Sequence, residues 1–196
     1  MCNLTTCNPP LFWYNNSKEQ KSDRTEAEHK QEVNIMRTNL YAAYAGDLCL
    51  SQMEHNCPTA QPIAKSWLHD YKLVFQGSPK SAHATVIPAD GKAVPVVIWE
   101  ISEQDEAALD KSNFVQTGYY TKERMTLEVA GEMQEVMIYI MRPSDYGMPS
   151  KAYLDLLTRG YLEFNFPTKV LEEALSDSYE GTVRYENQKE EMPNGN

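Results

Sequence analysis

Long apolar runs are missing from this chain of 196 residues. No stretch approaches the roughly 20 residues that a membrane-spanning helix requires. The brief run Leu11-Phe12-Trp13-Tyr14 has no basic segment before it and is too short for a secretory signal. A soluble, cytoplasmic protein with no membrane partner is the expectation. Positive charge is scarce too: 18 Lys and Arg, scattered along the chain, stand against 28 Asp and Glu, for a net charge of −10. That balance excludes a nucleic-acid polymer as partner, because such binding rests on clustered cations that neutralise phosphates. Cysteine is sparse as well. Cys2, Cys7, Cys49 and Cys57 form no CxxC pair and no Cys/His ligand set, and His55, His69 and His83 lack ligand spacing. Neither a metal nor a cofactor is expected, and the thiols read as reduced and inert.

What is present suffices for one domain with appended tails. The hydrophobic fraction is 41% and there are twelve tyrosines. Residues 15–34 carry only Ala27 and Val33 as apolar side chains, too little to offset the entropy of ordering them. We therefore expect a polar N-terminal extension over 1–35, a globular body over 36–178 and an acidic polar tail over 179–196. Strand-like and helix-like runs alternate in the body. Tyr71 to Phe75 alternates and meets a turn at Gly77-Ser78-Pro79. Val94 to Ile101 reads as a strand buried on both faces, with Pro95 near its start. Gly131 marks a hairpin before a strand over Glu135 to Met141. Ser102 with Asp105 resembles a capping box that opens a helix to about Lys111. Pro149-Ser150 opens another, with Gly160 as its stop, and Thr168 opens a last one. This pattern predicts an α+β fold or a small barrel.

Order and spacing add a resemblance. Tyr41-Ala42-Ala43-Tyr44-Ala45-Gly46-Asp47-Leu48 is similar to the Tyr-x-Ala-Tyr-Gly-Ser-Asn-Leu loop of γ-glutamylcyclotransferase and AIG2-like domains. Gln52-Met53 and Cys57-Pro58 resemble a stretch of that family's bacterial members. Further matches follow in order at His69 to Gly77, Ala84 to Pro88, Val94 to Ile101, Leu109-Asp110, Tyr119-Tyr120, Tyr139 to Met141, Pro149 to Leu154 and Gly160-Tyr161. The resemblance implies a small mixed five- to six-stranded β-barrel with flanking helices and a polar cavity at one end. It also implies a reaction. The α-amine of a γ-glutamyl group attacks its own side-chain carbonyl, giving 5-oxoproline, and a glutamate moves the protons.

In relatives that glutamate lies in Leu-Asp-x-x-Glu-Gly. Here Leu109-Asp110-Lys111-Ser112-Asn113-Phe114 puts Asn113 at its place, and an amide does not take up a proton at neutral pH. Ala45-Gly46-Asp47 replaces Gly-Ser-Asn, and Asn56 stands where bacterial relatives often have arginine. An ionised Asp47 in the cradle opposes a glutamyl carboxylate, by ~4 kcal/mol at ~4 Å and an effective dielectric of about 20. Asp47 is the leading substitute carboxylate, ahead of Asp110, Glu100 and Glu123; capping of the following helix and direct ligand contact are its other readings.

The resemblance further implies a ligand site built from Tyr44, Ala45, Gly46, Asp47, Leu48, Asn113, Tyr120, Tyr139 and Tyr153. Three functions remain open. One is a binding module for a small molecule (a γ-glutamylamine, a modified amino acid or a nucleotide-derived signal). A second is a cyclotransferase with a relocated carboxylate, and a third is a scaffold acting through its tails.

Overall fold

The computed structural model describes residues 38–191, so the expected extension over 1–35 lies outside the described residues. Strand β1 (Thr38–Ala43) leads through a 3-10 turn (Gly46–Leu48) into helix α1 (Leu50–Asn56). Two long strands follow, β2 (Gln61–Ser78) and β3 (Ser81–Ser102), then α2 (Glu103–Ser112) and a second 3-10 turn (Val115–Thr117). Strands β4 (Tyr120–Val129) and β5 (Glu132–Met141) form a hairpin, and α3 (Lys151–Glu163) and α4 (Lys169–Glu191) complete the described chain.

The five strands form one mixed sheet in the order β2-β3-β1-β5-β4. Only the β1–β5 pair is parallel. In the centre, β1 buries Tyr41, Ala42 and Ala43. The run anticipated as doubly buried lies within β3, where Val94, Val96, Val97, Ile98 and Ile101 are all fully buried. Pro95 sits inside β3 rather than near its start, in the stretch that the β1 ladder, ending at Val97, does not reach. The β4–β5 turn is made by Ala130 (φ 53°) and Gly131 (φ 91°). Two successive positive φ values are the two-residue turn whose twist suits a hairpin.

The expected barrel is not formed: the sheet is open. A barrel needs a ladder between its first and last strands, and β2 and β4 share none. Where they approach, the Ser66 hydroxyl donates to the Glu128 carbonyl at 2.7 Å, a side-chain bridge in place of backbone pairing. Around that bridge a cleft of about 720 Å³ lies between the two edges, lined by Trp67, Leu68 and Tyr71 on one side and Met125, Leu127 and Met133 on the other.

The helices show how sequence signals are used. At α2 both halves of the capping box are present: Ser102 Oγ accepts from the Asp105 N–H, and Asp105 Oδ2 accepts from the Ser102 N–H. Ser150 caps α3 by accepting from the Tyr153 N–H. Gly160 does not stop α3, which runs on to Glu163 and turns at Asn165 (φ 53°). Its role is close packing instead: a Cβ there would lie 2.8 Å from Cys49 N and from Leu48 Cβ. Helix α4 runs through position 178. Ser178 is fully buried, accepts from the Phe75 N–H at 2.9 Å, and sits in the middle of α4.

Candidate functional site

A cavity of about 270 Å³ opens where β1 runs into the Gly46–Leu48 turn. Beta-strand 1 and that turn contribute Tyr41, Tyr44, Ala45, Gly46 and Asp47, and α1 adds Gln52 and Asn56. His83 and Ala84 come from β3, Ser112, Asn113 and Phe114 from the end of α2, and Tyr119 and Tyr120 from the start of β4. Tyr139 of β5 with Tyr153 and Leu156 of α3 close it. The larger cleft between β2 and β4 shares none of these residues.

Of the residues singled out from sequence, Tyr44, Ala45, Gly46, Asp47, Asn113, Tyr120, Tyr139 and Tyr153 therefore meet at one place. Leu48 does not: it is fully buried and faces Gly160 of α3. Tyr41 and Gln52, which belong to the matched motifs, also line the cavity. The signal for Tyr41 was its position three residues before Tyr44 on a strand that runs straight into the cradle. Tyr119, the neighbour of Tyr120, reaches the site as well, Tyr120 buried and Tyr119 half-buried.

The hydroxyl groups are tied into the protein. Tyr41 donates to Asp47 Oδ2 at 2.8 Å, Tyr44 to the Tyr139 carbonyl at 2.6 Å, and Tyr120 to the Ala84 carbonyl at 2.8 Å. Tyr139 donates to Asp110 Oδ1 at 2.6 Å, and the Tyr153 hydroxyl accepts from the Ala84 N–H at 3.3 Å. Burial lifts the phenols of Tyr41, Tyr44, Tyr120, Tyr139 and Tyr153 above their ordinary value, so all are neutral at physiological pH. At Tyr139 the carboxylate of Asp110 adds to the lift.

Asp47 does not cap α1. Cys49 holds the N-cap position, and the Asp47 side chain turns back to Tyr41. Burial raises the Asp47 carboxyl above the usual carboxylate value, partly opposed by the Tyr41 hydrogen bond. It is the one carboxylate that lines the cavity among the described residues. Asp110 lies behind Tyr139 and is paired with Lys122 at 2.8 Å, while Glu100 and Glu123 are exposed on strands. Cys57, below the cradle, is inert: burial, then the nearby Asp105 and Asp47, push its thiol up to about 12.

Asn113 is the last residue of the α2 turn, with both its N–H and its Nδ2 on the Leu109 carbonyl at 2.9 Å. Its neighbour Phe114 adopts φ 50°, the left-handed conformation that glycine favours. For an L side chain this costs about 1–2 kcal/mol. The glycine that the resemblance puts at this position thus has a backbone reason, and Phe114 keeps the backbone while adding a ring, 59% exposed, at the rim.

The AIG2-like family model matches residues 93–173. Gamma-glutamylcyclotransferase of Bos taurus is 26% identical over 160 residues, covering 75% of this chain and 84% of its own. The expected tie to bacterial members finds no support in this bovine relative. A solved gamma-glutamyl cyclotransferase is similar in fold, with a TM-score of 0.64 and 23% identity over 70% of this chain and 86% of its own. So is YkqA from Bacillus subtilis, with a TM-score of 0.59 and 17% identity, over 86% of this chain and 60% of its own.

Proposed function

We propose that this chain, an AIG2-like homologue of gamma-glutamylcyclotransferase, is a non-catalytic module that binds a small molecule to sequester or sense it. The observation that carries the reading is Asn113. Ring closure to 5-oxoproline needs a group that takes a proton from the attacking ammonium and returns it to the leaving nitrogen. An amide does neither, and the Nδ2 of Asn113 is already committed to the Leu109 carbonyl. The cavity with its tyrosines persists around that amide, so the ligand is held and not turned over. In this reading Tyr44, Ala45, Gly46, Asp47, Asn113, Tyr120, Tyr139 and Tyr153 form the binding site of a cytoplasmic protein.

A second reading is supported by Asp47. Its carboxyl is raised by burial and faces the same cavity, as a relocated general base would need. The two readings separate in one assay. Wild type, Asn113→Glu and Asp47→Asn are incubated with γ-glutamylamines, and released 5-oxoproline is measured. No release by wild type is expected. Release by wild type that disappears in Asp47→Asn would transfer the case to the relocated base.

A further inference from the structure

The polar atoms of the cavity are unbalanced. Tyr41, Tyr44, Tyr120 and Tyr139 each give their one hydroxyl proton to an acceptor in the protein. What each oxygen has left is lone-pair density. Asn113 offers its Oδ1 as a further acceptor, with one of its two Nδ2 protons on the Leu109 carbonyl. Asp47 adds a carboxylate to the same wall, and no Lys or Arg lines the cavity. The tyrosine rings contribute negative faces as well. An incoming anion meets mostly acceptors, and its donors are amides, the Tyr153 hydroxyl and the His83–Tyr119 pair. An incoming cation meets a carboxylate, aromatic rings and unshared oxygens.

We propose that the cavity takes a small cationic amine, an alkylammonium group seated between Asp47 and the tyrosine rings. This rests on the binding-module reading above and names the ligand class for it. The ammonium donates hydrogen bonds to Asp47 and Asn113 Oδ1, while ring faces attract its charge and its adjacent carbons. The volume of about 270 Å³ has room for on the order of ten non-hydrogen atoms, judged from the ~30 Å³ that a water occupies in the liquid. A γ-glutamyl group is a poorer fit, since its α-carboxylate faces the same acceptor-rich wall.

Calorimetric titration of the full chain at neutral pH with butylammonium, butanol and butyrate tests this directly, because the three differ in head-group charge at nearly equal size. Butylammonium is expected to bind in the millimolar range or tighter, and at least about tenfold more tightly than either other probe. Asp47→Asn should lose at least about tenfold of that affinity while leaving butanol unchanged. Its melting temperature should be no lower than that of wild type, which separates a lost contact from a lost fold. Butyrate binding as tightly as butylammonium, no binding of butylammonium at millimolar concentration, or unchanged affinity in Asp47→Asn each overturns the proposal. The binding-module reading fails on a different signal, release of 5-oxoproline. A chain that holds 5-oxoproline or butyrate tightly without turnover keeps that reading and loses the cation preference. A chain that turns over γ-glutamylamines yet prefers butylammonium does the reverse.

Discussion

Gly160 is where the packing of the cradle can be tested by a single methyl group. It lies on α3 against the turn that carries Gly46 and Asp47, and an added Cβ would sit 2.8 Å from Cys49 N, 2.8 Å from Leu48 Cβ and 3.0 Å from Leu48 C. Comfortable carbon contacts are about 3.5–4.0 Å, so each approach is short by roughly half an ångström to an ångström. Two of the three neighbours are backbone atoms and have no rotamer to escape into. Overpacking of this kind costs about 1–3 kcal/mol, and a clash with backbone belongs in the upper part of that range. Alanine returns about 1 kcal/mol through helix propensity. The net for Gly160→Ala is a loss of about 1–2 kcal/mol, or roughly 2–8 °C in melting temperature for a domain of this size. Thermal and urea denaturation followed by circular dichroism would read it. A melting temperature equal to or above that of wild type would mean that propensity outweighs packing, and would refute the close-approach argument.

Three further outcomes follow from named contacts. Ser102→Ala removes the cap of α2, the helix that ends at Asn113, and should cost about 1–2 kcal/mol in urea denaturation. Asp105 answers to acid: burial works to raise its carboxyl, but hydrogen bonds from Thr59 and Ser102 outweigh it and hold it below its ordinary 3.8. Its stabilisation is therefore complete above pH 3.8 and is lost as the pH falls through the lower folded value; Asp105→Asn should show a shallower acid loss in that window. Asp47 has the opposite sign. Its folded value is raised above 3.8, so its ionisation costs stability as the pH rises through that value. Asp47→Asn should then be more stable than wild type at neutral pH, with the difference vanishing below pH 3.8 in a series of melts.

The local parts of this fold were open to reading because their causes are local. Ser102 and Asp105 sit at capping-box spacing, and both reciprocal bonds are made. Gly131 signalled a hairpin, and the turn needs positive φ there. The sheet's openness was not legible, because strands alternate in the same way whether or not the outer two pair. What separates β2 from β4 is a matter of where Trp67, Met125 and Met133 end up. Gly160 looked like a helix stop because a glycine at C′ and a glycine packed against a neighbouring backbone leave the same letter. The polar composition after 178 hid the continuation of α4, whose buried side among the described residues is the short set Leu171, Ala174 and Ser178. At the site, the tyrosines came from the resemblance, but the direction of their hydroxyl protons did not. That direction depends on carbonyls such as those of Ala84 and Tyr139, which any sequence supplies at every residue.

The account turns on Asn113, and 5-oxoproline release tests it most directly. Purified wild-type protein with γ-glutamylamines should release none above the uncatalysed rate, since a positioned acid–base group of the kind that Asn113 lacks is worth about 10²–10⁴ in rate. Asn113→Glu should bind butylammonium no more weakly than the wild type, because it keeps an acceptor at that position and adds a negative charge. Sustained release of 5-oxoproline by the wild type would contradict the account.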